Sequence, residues 1–477
     1  MQTGSIASHW TMRLSAFGGA LMIVAFPLSV SLSQAGLGLA LIGWILARIW
    51  NRTACQQRLP LRMHPFFWSA LAVYLILFAT LLVNALLAEE RIAFLARGLR
   101  AEVKDIILLP AGFWVMAWSS KPEGRKQILR WLEWSVWLLL LTGFLAIWSR
   151  YRISKIPWLL LHDWQVGPSV RFQHHLATIP LGSFPLNVYM PIGMMNTHLT
   201  YAGLLMFAWP WLLLRTLHPW IRQDWREYWL GPQRYAHYWH WFGLVLASLL
   251  FILNNGRSAL LGALLSGVVG VLYFIKVHWG RSALKLLLPA ILSVILLTAF
   301  GSLAPLIHPR MARAVNALFS AEKKHTDHQR TLVWNGSLEL SRQSPLIGVG
   351  SGHFEDRLKE HIITYSSQHP HLWPWYNLAQ RGHAHNDYLH LLAIGGLFAL
   401  AAYLILAGVL FQSSLIKLPL ELETWKFGPL ALLVAGFLQC YFLDDEVILP
   451  FWIYVGLCCG AAITESARPQ KSAPGEQ

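Results

Sequence analysis

The sequence predicts an all-α, polytopic membrane protein of about twelve spans. Three observations lead there. The chain has 477 residues, of which 55% are hydrophobic and only 13% charged, where a soluble protein carries about a quarter charged residues. Its mean hydropathy is +0.45. Its apolar residues fall in continuous blocks long enough to cross a hydrocarbon core of about 30 Å, which takes roughly 20 helical residues. A transmembrane barrel would alternate instead. Tryptophan is abundant, with 25 copies, many of them flanking the blocks as interfacial anchors do.

The predicted spans are 14–33, 35–50, 66–87, 105–119, 128–148, 198–216, 239–254, 258–276, 284–304, 387–412, 427–443 and 446–465. The first block is followed at once by another, so it reads as an uncleaved first span rather than a signal peptide. Loop charge orients the set. Arg48, Arg52, Arg58 and Arg62 follow span two. Lys121, Arg125, Lys126 and Arg130 follow span four. Arg215, Arg222, Arg226 and Arg234 follow span six, and Lys276, Arg281 and Lys285 follow span eight. All fall on one side, which the positive-inside rule makes cytoplasmic, along with both termini. Asp444, Asp445 and Glu446 then occupy an external turn.

Two external segments are long, 151–196 and 305–386. Loops of such length are usually functional. The second holds its own helical pattern in Leu332, Trp334, Leu338 and Leu340, so helices are expected over the membrane face. The external loop 88–104 is basic (Arg91, Arg97, Arg100, Lys104), against the rule. Ile92, Phe94, Leu95 and Leu99 recur there at helical spacing, so it reads as an interfacial helix, either a strut or a site for a phosphate-bearing lipid head. The tail after 466 is Pro- and Ser-rich and reads as disordered.

The net charge of +15 is accounted for by those loops. No basic groove motif accompanies it, so nucleic-acid binding is not expected. Of the four cysteines, Cys440, Cys458 and Cys459 lie inside apolar spans, and Cys55 stands apart. None has metal-ligand spacing, and no disulfide framework is assigned.

Polar motifs converge on the external face. Arg381-Gly-His-Ala-His385-Asn386-Asp-Tyr-Leu-His390 closes the long loop and runs into span ten. Ionisable groups at the rim of a span are a site by default. His385 is the leading proton-transfer group, because imidazole titrates near working pH. A structural hydrogen bond is its alternative role. His383 and His390 lie close by, and Asn386 shares a helix face with His390. Their spacing fits no compact zinc pattern, and only Asp387 stands near as a supporting acid. No metal or cofactor is expected. Asn254-Asn255-Gly256-Arg257-Ser258 forms the turn between spans seven and eight. The Arg257 guanidinium binds phosphate oxygens as a fork or anchors the interface by snorkelling. Pro345-Leu-Ile-Gly348-Val-Gly350-Ser-Gly352-His-Phe354 is glycine-rich, but an external loop offers no βαβ unit for a nucleotide. Its glycines serve a tight turn.

Arg330-Thr-Leu-Val-Trp334, the glycine-rich stretch, and His385-Asn386 followed by nine residues and Gly396 together resemble the O-antigen ligase and polymerase superfamily. Asn255-Gly256-Arg257-Ser258-Ala259 resembles its Ser-Arg-small turn. The motif ends in Ala399 where the ligase pattern has Gly, Thr or Tyr. The resemblance implies a metal-independent glycosyltransferase of the bacterial inner membrane with no cofactor. Its donor would be a glycan on undecaprenyl diphosphate, delivered on the periplasmic face, and its acceptor lipid A–core in the ligases. The family's catalytic histidine falls on His385 and its diphosphate-binding arginine on Arg257. A second falls on Arg171, in the loop before span six. Arg330, Asn386, His383 and His390 are supporting residues. The division implied is 1–304 for spans one to nine with a periplasmic loop at 151–196, 305–386 for the large periplasmic loop, 387–465 for spans ten to twelve, and 466–477 for a cytoplasmic tail. The rival readings are an O-antigen polymerase, a protein O-oligosaccharyltransferase and, from another class, a membrane transporter.

Overall fold

Long apolar runs can satisfy their backbone in lipid only as helices, and the computed structural model is mostly helical. It describes residues 3–50, 65–156, 172–181, 184–222, 234–278, 325–370, 382–416, 418 and 420–466. The N-terminal pair α1 (Thr3–Ala25) and α2 (Val30–Trp50) form a close hairpin. A Cβ on Gly36 would lie 2.4 Å from the Met22 nitrogen, so only glycine lets the backbones approach this far. Next come α3 (Pro65–Leu87), a short α4 (Arg91–Leu99), α5 (Leu109–Ser119) and α6 (Pro122–Trp148). After a small hairpin follow α7 (His198–Arg222), α8 (Arg234–Asn254) and α9 (Arg257–His278). The polar helices α10 (His325–Gln343) and α11 (Phe354–Gln368) precede α12 (Asp387–Ser414), α13 (Gly428–Ala435) and α14 (Asp445–Ser466).

Among the described residues, six helices are long and apolar enough to cross a membrane. They are α2, α3, α6, α9, α12 and α14. The twelve-span expectation is therefore not reached. Helices α7 and α8 coincide with predicted spans but are not among the six. Predicted span nine, 284–304, and the tail beyond 466 lie outside the described residues. Two further spans are replaced by short elements. At 105–119 a 3₁₀ turn (Glu102–Leu108) leads into α5, which at 1.5 Å per residue is roughly 17 Å long. At 427–443, α13 stops at Ala435. The chain then turns because the buried Asp387 carboxylate accepts the backbone N–H groups of Tyr441 and Phe442.

A second departure from a purely helical reading is an antiparallel hairpin, β1 (His175–Leu181) with β2 (Phe184–Tyr189), in register Thr178↔Asn187. Each strand is too short for its alternation to stand out against the apolar background.

Helix α12 is not continuous. Gly396 adopts φ 66°, ψ −163°, a region essentially restricted to glycine. A Cβ there would sit 2.2 Å from the Leu346 carbonyl. The glycine-rich turn 345–352 docks into the break. The Val349 and Gly350 N–H groups donate to the Ala393 and Ile394 carbonyls at 2.9 Å each, and the Leu397 N–H donates to Pro345 O at 2.8 Å. Backbone groups freed by the break thus find partners in the turn, as burial requires.

Candidate functional site

The start of α12 is shaped by its own sequence. His385 lies at φ 50°, a left-handed conformation that swings the loop into the helix. Asn386 caps the helix: its Oδ1 accepts the Leu389 N–H at 3.0 Å, one of the donors a helix start leaves unpaired. Its Nδ2 donates to Phe437 O at 2.8 Å. Asp387 is fully buried. Besides accepting from Tyr441 and Phe442, it donates its own N–H to Gly436 O at 2.7 Å. The segment 436–442 is therefore wrapped around the α12 N-terminus. It carries Gln439, whose Oε1 accepts from His385 Nδ1 at 2.9 Å. With the hydrogen on Nδ1, the lone pair of the neutral ring is on Nε2.

The same segment reaches α9. Tyr441 and Ser258 pair through their hydroxyls at 3.1 Å. Before them Asn254 donates to Pro191 O at 2.7 Å, and Asn255 turns the chain at φ 60°. Arg257 is the first residue of α9. The guanidinium-bearing turn and the imidazole-bearing loop are thus braced by residues two apart, Tyr441 and Gln439.

The glycine-rich turn closes another side. Helix α4 holds it: Ser351 Oγ lies 3.1 Å from Gly98 O, His353 Nε2 bonds Phe94 O at 3.1 Å, and Arg97 pairs with Asp356. The His353 and Phe94 rings stack with centroids 3.4 Å apart. This is the strut geometry among the two readings of loop 88–104. Just beyond α4, Glu102 Oε2 accepts from the Ser351 hydroxyl at 2.6 Å and the Gly352 N–H at 2.8 Å, while Oε1 meets His390 Nε2 at 3.2 Å.

Beside them lies a cavity of about 600 Å³, lined by the stretch 190–200, the histidine loop and the chain from Gln439 to Asp445, whose wall includes Glu102, Arg152, His383, His390, Gln439 and Asp444. Burial lowers the His385 pKa from its ordinary value; the Gln439 contact opposes this, and the Arg330 charge adds to it. Burial, with His385, His390 and Arg330 nearby, takes His383 down to about 3. Both rings are neutral at neutral pH, and His385 is placed to accept a proton. Burial alone would raise Glu102, but the His390 and Ser351 contacts hold it at about 2, an ionised carboxylate. Asp444, buried and beside Glu446 and Asp445, is pushed up to about 7.

Of the residues singled out from sequence, His383, His385, Asn386 and His390 meet at the α12 mouth. Arg330 on α10 is near enough for its charge to act on His383 and His385. Arg257 joins through the Ser258–Tyr441 contact. Arg171 lies outside the described residues. The acid beside the histidines is Glu102, not Asp387, which serves backbone N–H groups instead. Among the described residues no three of His, Cys, Asp or Glu gather as a metal ion requires. Sequence reasoning missed Gln439 and Glu102. Gln439 carried a signal, being a lone amide in the apolar run 427–443, where polar groups are costly and functional.

The described part of this membrane-type helical protein gathers imidazoles and one guanidinium around a cavity. Residues 242–404, which carry Arg257, Arg330, His383, His385 and His390, match the family model described as O-antigen ligase. That match supports a place in the O-antigen ligase-like superfamily. The match supports glycosyl transfer of the ligase or polymerase type in a membrane, with a lipid-linked glycan and a lipid-bound acceptor. No curated protein matches closely enough to count as a relative.

Proposed function

We propose that the protein transfers a glycan from undecaprenyl diphosphate to a hydroxyl of lipid A–core on the periplasmic face of the bacterial inner membrane. The observation that carries this reading is the bridge made by segment 436–442. Gln439 holds His385 at 2.9 Å and Tyr441 meets Ser258, next to Arg257, at 3.1 Å. That bridge supports a base and a permanent cation acting at one site.

The chemistry needs only those parts. The acceptor oxygen forms a bond to the anomeric carbon as the bond from that carbon to the diphosphate oxygen breaks. The electron pair leaves with the diphosphate, and the acceptor proton goes to His385 Nε2. The diphosphate is already a good leaving group. Arg257, with Arg171 or Arg330 as a second cation, neutralises its charge, electrostatic assistance that is commonly the largest single contribution to catalysis. General-base help from an imidazole is worth about 10²–10⁴-fold. The polyprenyl tail would lie against the flanking apolar helices.

Ala399 stands where the ligase pattern has Gly, Thr or Tyr, which keeps a polymerase as the second reading. Lipopolysaccharide banding in a deletion strain separates the two. Loss of all long-chain material with accumulated lipid-linked polymer is expected for the ligase. Capping with a single repeat means a polymerase. An unchanged pattern means the glycan goes to another acceptor, such as protein.

A further inference from the structure

His390 is 1% exposed and is not needed by the transfer chemistry above. Its Nε2 meets Glu102 Oε1 at 3.2 Å. Glu102 is itself fixed by Ser351 and Gly352, and the Phe354 ring sits edge-on to the imidazole with centroids 4.7 Å apart. The ring is held from two sides, and the carboxylate, which only accepts, places the hydrogen on Nε2. Nδ1 is the ring's other polar atom. It is buried and makes no hydrogen bond, although a buried polar atom is nearly always satisfied. The ring is part of the wall of the 600 Å³ cavity, so a ligand in that cavity is the available partner.

The cavity wall says what kind of ligand. Glu102, Asp444 and Asp445 bring carboxyl groups, Thr197 and Thr200 hydroxyls, and Arg152 is the one arginine or lysine among the described residues that line it. Such a wall disfavours a diphosphate and suits a neutral, hydroxyl-rich molecule, whose O–H groups need acceptors. From these observations we infer that the cavity is a sugar-binding subsite in which His390 Nδ1, oriented by Glu102, shares a hydrogen bond with a glycan hydroxyl. His390 is a binding residue and His385 remains the base. The inference rests on the glycosyl-transfer reading and names where one of its glycans is held.

The test uses the full chain in lipid nanodiscs, with KM and kcat measured separately for a lipid-linked glycan donor and for a lipid A–core acceptor. In His390→Gln the amide stands where Nε2 was, so the Glu102 contact survives while the Nδ1 contact is lost. A merely structural role is satisfied by that variant. The expected result is a KM raised about 3–10-fold for one of the two glycans, as the loss of one neutral hydrogen bond implies, with kcat within about twofold and thermal stability kept. The affected KM tells whether donor or acceptor sugar fills the cavity. Unchanged KM for both, or a collapse of kcat at unchanged KM, overturns the inference. If His390→Gln does not fold, His390→Asn decides by the same readout. It leaves an oxygen near the Nδ1 position, and its KM should lie closer to wild type than that of His390→Ala; equal values overturn the inference. Failure of the underlying reading looks different: wild-type protein would then transfer no glycan at all.

Discussion

Replacing Gln439 with leucine removes the acceptor 2.9 Å from His385 Nδ1 while keeping an apolar side chain of similar bulk. Gln439 and His385 are both buried, so the Nδ1–H is left without a partner where water does not readily replace it. An unsatisfied buried donor costs about 1–3 kcal/mol. The ring escapes that cost by turning or by moving its hydrogen to Nε2, and either change takes the basic lone pair away from the reacting hydroxyl. At about 1.4 kcal/mol per tenfold, Gln439→Leu should lower kcat/KM by about 5–150-fold. The pH profile should move too. Burial already lowers the His385 pKa, and the Gln439 contact partly opposes this. Activity is therefore expected to persist below the ordinary imidazole value of 6.5 and to fall as His385 becomes protonated. Without Gln439 that acid limb should lie lower still, beneath a reduced plateau. The assay is transfer from a lipid-linked glycan between pH 4.5 and 8, with thermal unfolding in detergent to show that the variant is folded. Wild-type rate and pH profile in a folded Gln439→Leu would refute the orienting role, and with it the bridge from His385 to α9.

Gly396→Ala should destabilise the protein by at least about 1–3 kcal/mol, because its backbone region is essentially glycine-only and the new Cβ would overlap the Leu346 carbonyl; a thermal midpoint equal to wild type would contradict the break in α12. Glu102 is held at about 2 against an ordinary 4.5. A depressed carboxylate stabilises the fold above its unfolded pKa and loses that contribution as pH falls from about 4.5 towards 2, so wild-type stability should drop across this window and that of Glu102→Gln should be flatter, read by thermal unfolding in acid. Arg257→Ala should raise the donor KM and lower kcat, and Arg257→Lys should recover only part, since a point charge does not replace a bidentate fork; full activity in the alanine variant removes the phosphate role.

The helices were legible because lipid forces apolar stretches to be helical, and α3, α9 and α12 coincide closely with their predicted spans. The short α5 and α13 were not. Both lie in strongly apolar sequence, and the turn after α13 is held by a carboxylate 54 residues away, Asp387, which captures the Tyr441 N–H. The histidine motif was legible from its unusual chemistry at a membrane rim. Its support was not: Gln439 is 54 residues from His385, and Glu102 is 288 from His390. No local periodicity encodes such pairings. The glycine-rich turn was rightly read as a turn, yet its role as the plug of a broken helix needed Gly396 and Leu346 to be seen in contact.

The measurement closest to the central claim is glycan transfer by purified protein in liposomes, supplied with an undecaprenyl-diphosphate-linked glycan and lipid A–core. Wild-type protein should form the joined product, and His385→Ala, folded to the same thermal midpoint, should form essentially none. Product formation at the wild-type rate by His385→Ala would contradict the assignment of the base, and no product from wild-type protein would contradict the transfer itself.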